Sequence, residues 1–178
     1  MNQVWFTADT HWFHYNIIKY CKRPFNTVEE MNEAMISNWN AVVNRGDTVY
    51  HLGDFAFAKT THQVNHILKR LNGQVHIIFG GHDRDAVKKA DFASKSTLKS
   101  IKIKSQTIVL CHYAMRVWDK SHYGSYHLYG HSHGSLPDDL NSLSCDVGVD
   151  CWGFTPVSYD QVVEAMSKKS FVPIDHHK

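Results

Sequence analysis

Five short runs rich in Val, Ile, Leu and aromatic residues each stop at an acid or histidine motif, and this recurrence restricts the chain more than any other feature. The runs are Gln3 to Ala8, Thr48 to Leu52, Gln74 to Phe79, Thr107 to Cys111 and His127 to Tyr129. They lead into Asp9-Thr10-His11, Gly53-Asp54, Gly80-Gly81-His82-Asp83, Cys111-His112 and Gly130-His131-Ser132-His133. Short apolar runs that end in turn residues read as strands. In layered α/β folds, working side chains gather on loops at the carboxyl ends of strands, because the strands are rigid and the loops can converge. The predicted class is a layered α/β (α+β) fold with a polar site along one edge of its strands.

Helices alternate with the strands in the first half. From Thr27 to Val43, Val28, Met31, Met35, Trp39 and Val42 recur at steps of three or four, behind a capping box of Thr27 and Glu30. A second helix, about Thr61 to Leu71, carries Val64, Ile67, Leu68 and Leu71 on one face and stops at Asn72-Gly73. From Leu98 onward the pattern becomes strand pairs and loops, until Ser158 to Met166 offers a last short helix. Ala114 to Tyr126 has no clear period and reads as a loop over the site. With 178 residues, 43% of them hydrophobic, and no repeat or Pro/Gly-rich linker, one domain over residues 1–170 with a tail at 171–178 is expected.

A formal charge of +2 and a pI near 8.3 give no strong global field, so nothing marks a nucleic-acid coat or a membrane-surface protein. Lys95, Lys99, Lys102 and Lys104 form a basic stretch whose last two members alternate with Ile101 and Ile103, as in a strand with one solvated face. Aromatic interleaving is absent, and nucleic-acid binding is not inferred. Cys21, Cys111, Cys145 and Cys151 show no C-x-x-C spacing and read as buried free thiols. The chain has neither a leader-like start nor an apolar run long enough to span a bilayer, which places it in a cytoplasm, away from membranes.

The motifs supply metal ligands. Two divalent ions about 3.5–4 Å apart can activate water and stabilise the charge of an in-line displacement at phosphorus, and such a pair needs a bridging carboxylate. Asp54, after a Gly53 that lets the backbone turn sharply, is the best candidate. Asp9 and His11 are two residues apart and reach one point if the strand breaks there; His131 and His133 have the same relation. Mixed imidazole and carboxylate donors suit manganese, iron, zinc or nickel and do not suit a calcium cage.

The ordered set resembles the calcineurin-like metallophosphoesterases over most of the chain, to about Met166. The stretches from Asp9 to Ile18, Arg23-Pro24-Phe25, Tyr50 to Ala56 and Leu128 to Gly134 are similar to the small bacterial and bacteriophage branch. The resemblance implies a four-layer αββα sandwich, helices on both outer faces, and a dinuclear site at one edge. It implies that Asp9, His11, Asp54 and His133 hold the first metal, and that Asp54, His112 and His131 hold the second together with an asparagine. Two divalent ions are expected, manganese foremost, with iron, zinc and nickel as alternatives. It further implies that His82 contacts the phosphoryl group or the leaving oxygen and that Asp83 orients it.

This chain departs from the family at one ligand: Gly81 stands where the asparagine is expected. Two readings follow, a phosphoesterase weakened at its second metal and a metal-bound interaction module with the same fold. Arg84 and Arg116 could each make a bidentate contact with a phosphate oxygen, or remain solvated. Trp12, Phe13, Tyr15, Trp118 and Tyr123 could stack on a nucleobase or pack in core and rim. His14 and Asn16 lie close enough to the first motif to support it; His51, His62, His66, His76, His122, His127, His176 and His177 are expected at the surface or satisfied in the core. The expected substrate is a phosphoester, a nucleotide among the candidates, with diesters slightly ahead of monoesters.

Overall fold

A computed structural model describes residues 2–175 and places two sheets face to face. Strands β1 (Val4–Thr7), β2 (Thr48–His51), β3 (Gln74–Ile78) and β4 (Ser94–Ser96) run parallel in the first sheet. Strands β5 (Leu98–Ile103), β6 (Gln106–Cys111), β7 (Tyr126–Tyr129) and β8 (Ser144–Asp146) make the second, and β9 (Val157–Ser158) closes the first antiparallel to β1. The spatial orders are β4-β3-β2-β1-β9 and β5-β6-β7-β8.

Alternation along the strands builds both cores. Trp5, Val49, Val75 and Ile77 pack under α2 (Val28–Val42) and α3 (Thr61–Arg70), against Met31, Met35, Trp39, Val64 and Ile67. Their neighbours Phe6, Leu52 and Ile78 point the other way, into the space between the sheets, where they meet Ile108, Leu110 and Leu128. The last helix, α5 (Tyr159–Ser167), buries Val162 and Met166 in that second core. Two sheets flanked by helices in one domain match the expected fold class, with α2 and α3 on the outer face of the first sheet and α5 against β1, β8 and β9. Ile101 and Ile103 of β5 pack toward this core while Lys102 is exposed, as their alternation requires.

The expected helices form within a residue of their predicted ends. Thr27 accepts the amide of Glu30, but the Glu30 side chain takes the Asn26 amide, so only half of the predicted box is made. Complete boxes occur instead at Thr60 with Gln63 and at Ser158 with Gln161.

The second half differs from its expectation in two ways. Within the second sheet only β5 and β6 form an antiparallel pair; β6, β7 and β8 run parallel. Their crossovers are loops, so no helical period announces them. The segment after His112 also folds onto the outer face of the second sheet instead of over the site. His127 Nε2 accepts the Met115 amide, and the Trp118 ring packs on that imidazole at 5.2 Å.

The described end of the chain stays attached, with the Val172 amide on the Asn141 carbonyl and Asp175 accepting from Ser121 Oγ. His176 and His177 lie outside the described residues. All four cysteines are free, as expected, but they are not buried: three are half-buried and Cys151 is exposed.

Candidate metal centre

Parallel pairing brings the carboxyl ends of β1, β2 and β3 to one edge, and those of β6, β7 and β8 to another. A parallel bridge between Ala8 and Gly148 ties the two edges together directly before Asp9. The motifs converge there. Asp9, His11 and His133 form one group of donors and Asp54, His112 and His131 a second, the donor atoms in each lying within 4.8 Å of one another.

The backbone shows how residues two apart come to share a point. Asp9, His11, Asp54, His131 and His133 all have φ between 48° and 70°, the left-handed region that side chains with a Cβ seldom enter. Each such residue costs on the order of 1–3 kcal/mol, and strain of this kind persists where the surroundings impose it. Here hydrogen bonds impose it: the Asp9 amide donates to the Gly53 carbonyl and the His11 amide to the Asp54 carbonyl, each at 3.0 Å. Glycine is required alongside. A Cβ at Gly53 would stand 2.7 Å from His112 Nδ1, and one at Gly130 2.6 Å from Asp9 Oδ2.

Asp54 joins the two groups. Its Oδ1 accepts the His82 amide at 2.9 Å, while Oδ2 lies 3.7 Å from His11 Nε2 and 3.5 Å from His112 Nε2. His112 Nδ1 donates to the Leu52 carbonyl at 2.7 Å, which turns Nε2 toward Asp54. Burial works against the Asp54 charge, yet His112, the His82 amide and His11 hold its carboxyl well below the usual range. Burial pushes Asp9 the other way, up to about 7, and pushes His11 down. Asp9 Oδ1, His11 Nε2 and His112 Nε2 are buried with no hydrogen-bond partner among the described residues. Buried polar atoms are rarely left so, and three such donors facing one centre are what a pair of cations would satisfy. The residues present therefore fit a metal centre.

Several supporting contacts escape sequence reasoning. Arg23 places Nε and Nη2 on the two oxygens of Asp150 at 2.8 Å each, and the same guanidinium donates to the carbonyls of Asp9 and Thr10. Asp150 in turn accepts from His133 Nδ1 at 2.7 Å, leaving Nε2 for the centre. Cys21, His133 and Asp150 form a further group of potential donors, but this carboxylate is already paired. Arg23 stood in a recognised motif without a role, and nothing local distinguishes Asp150.

Other expectations need revision. Asp83 does not orient the His82 ring. Its oxygens accept the amides of Gly80, Asp54 and Phe55 at 2.8–3.0 Å, so the carboxylate fastens the loops under the site. The exposed His82 ring lies 5.8 Å from His11 and 5.2 Å from Phe57. Arg84 is exposed beside it, at the N-cap of α4 (Asp85–Lys88). Arg116 lines a cavity of about 420 Å³ with Trp118, Asn141 and Ile174, apart from every donor named above. Trp12 is core, and Tyr15 and Tyr123 are exposed. His14 meets the site, with its Nδ1 3.3 Å from His11 Nδ1, whereas Asn16 is exposed.

A sheet pair of this topology with donors at its parallel edge defines a class, and comparison with known proteins agrees. Residues 3–147 match the family described as the calcineurin-like phosphoesterase superfamily domain, and the chain belongs to that family. It is 34% identical to the uncharacterized protein MJ1445 of Methanocaldococcus jannaschii, covering 97% of this chain and 96% of that one. It is also 25% identical to the gene 66 protein of Mycobacterium phage L5, over 94% of this chain and 95% of the phage protein. A crystal structure of a protein of unknown function, AQ665 from Aquifex aeolicus, shares the fold with a TM-score of 0.73 at 21% identity, covering 93% of this chain and all of that one. Family membership supports phosphoester hydrolysis as the general chemistry. No helix among the described residues is long and apolar enough to cross a membrane.

Proposed function

We propose that this protein hydrolyses phosphoesters with two divalent metal ions, one on Asp9, His11 and His133, the other on His112 and His131, with Asp54 shared. The observation that carries this reading is the single oxygen of Asp54 that faces an imidazole of each group. What the ions would supply is activation of water and polarisation of a phosphoryl oxygen. The protein's own part is electrostatic and positional. Two carboxylates against two divalent ions leave the centre positive, which favours a phosphate anion.

His82 stands at the open side of the site, where a departing ester oxygen can take its proton. Arg84, on the same loop, is exposed beside His82, which supports a contact with a phosphate oxygen. The exposure of His82 and His131 leaves room for phosphate esterified on two sides, which favours a phosphodiester, a nucleotide among them. Imidazole and carboxylate donors without thiolate keep manganese first, ahead of iron, zinc and nickel. Four unpaired cysteines support a reducing, cytoplasmic setting.

The test is the initial rate on bis(p-nitrophenyl) phosphate across a manganese titration, with Asp54→Ala alongside. Metal-dependent turnover that Asp54→Ala abolishes supports the enzyme. Silence at saturating manganese moves the reading to an interaction module of the same fold.

A further inference from the structure

The family resemblance implies an asparagine oxygen in the second donor group that Gly81 cannot supply, and the structure sets a phenol oxygen beside position 81. Gly81 has no left-handed φ, so its backbone accepts a side chain, and a Cβ built there meets one atom closely: the hydroxyl oxygen of Tyr113, at 2.8 Å. The amide oxygen of an asparagine lies ~2.4 Å from its own Cβ by standard bond lengths. The phenol oxygen thus stands at nearly the distance at which the missing side chain would carry its donor. The Tyr113 ring packs against both imidazoles of the same group, with centroids 4.8 Å from His112 and 4.7 Å from His131, edge-on to both. Chain order explains the placement. Tyr113 follows His112 at the end of β6, so the strand that delivers the imidazole also delivers the phenol.

From this we infer that Tyr113 Oη is the oxygen donor that takes the place of an asparagine at position 81 in the second metal site. The inference rests on the dinuclear reading above. It also recasts Gly81: a side chain there would collide with the Tyr113 hydroxyl, so the small residue and the tyrosine belong together. A ring that is 48% exposed can swing away when the site is filled from position 81 instead.

Calorimetric titration of the metal-free protein with Mn²⁺ decides it, using the wild type, Tyr113→Phe, Gly81→Asn, the double variant and Asp54→Ala. Tyr113→Phe keeps the ring and removes the oxygen; it should weaken uptake of the second ion by ~10-fold or more while leaving the first unchanged. In the double variant the asparagine supplies the donor, and the second ion should bind at least as tightly as in the wild type. If Tyr113→Phe takes up two ions with wild-type affinity, Tyr113 is no donor, and the dinuclear reading stands without it. If the wild type takes up fewer than two ions, or Asp54→Ala binds as the wild type does, the dinuclear reading falls and the Tyr113 role with it.

Discussion

Arg23 holds Asp150 through two parallel bonds of 2.8 Å across 127 residues of chain, and Asp150 holds the Nδ1 of His133. A metal-facing histidine fixed by a carboxylate is oriented and made more basic, and loss of such a partner typically costs ~10–100-fold in metal affinity. Asp150→Asn should therefore weaken binding at the group that contains His133 by that factor. Arg70→Ala, which breaks the exposed pair with Glu33, should leave metal binding unchanged and cost at most about 1 kcal/mol. Calorimetry of both variants checks the contrast; equal metal affinities would refute the positioning role.

His131→Gly separates backbone strain from ligation. His131 has a φ of 70°, which glycine adopts without penalty, and its ring is exposed. Relief of about 1 kcal/mol should raise the melting temperature of the metal-free protein by roughly 2–4 °C. Manganese uptake should fall in the same variant. A metal-free protein that melts lower than the wild type would show that the strain released is smaller than the chain entropy glycine costs on folding.

Asp83 and His82 are adjacent and should behave oppositely. Asp83→Ala leaves the amides of Gly80, Asp54 and Phe55 without their acceptor, at roughly 1–3 kcal/mol for each amide that water does not reach. Thermal unfolding should show a loss of several kcal/mol. His82→Ala should melt with the wild type and lower turnover by about 10²-fold or more, the usual worth of a proton donor. An unchanged melting temperature in Asp83→Ala would return Asp83 to a purely chemical role.

Asp47, at the opposite end of β2 from Asp54, gives the fold a pH dependence. Burial raises its pKa, but the amides of Asn44 and Gln3 and the Trp5 indole outweigh burial and bring it below the ordinary value. A depressed carboxyl stabilises the fold above its unfolded pKa, about 3.9, and that contribution fades as pH falls through the folded value. Asp47→Asn should lower the melting temperature at pH 7, and the gap to the wild type should narrow below about pH 4. A gap that is constant from pH 7 to pH 3 contradicts this assignment.

Much of this molecule was readable along the chain, and for a local reason. Val4 to Thr7 and Thr48 to His51 alternate toward two cores, Val28 to Val42 repeats at helical spacing, and each strand of the first sheet before β4 ends at its motif. Periodicity and capping act over a few residues, so they survive in a linear sequence. The short elements α1 (Tyr15–Tyr20), α4, β4, β8 and β9 did not, because two to six residues carry too little period and form only against a partner already in place.

The order of the motifs marked which residues meet; tertiary closure decided how. The Ala8 to Gly148 bridge unites two sheet edges, hydrogen bonds across the loops hold Asp9 and His11 in left-handed turns that Asp54, His131 and His133 also adopt, and the Asp54 carboxylate comes to lie between His11 and His112. The same closure gives Asp83 three amides instead of an imidazole, sends Arg116 to another cavity, and sets the Tyr113 hydroxyl over Gly81. Such contacts join residues tens of positions apart through space, and no spacing rule encodes them. Residue identity and order thus specify the kind of site, whereas the packing of two sheets specifies which atom of each residue faces it.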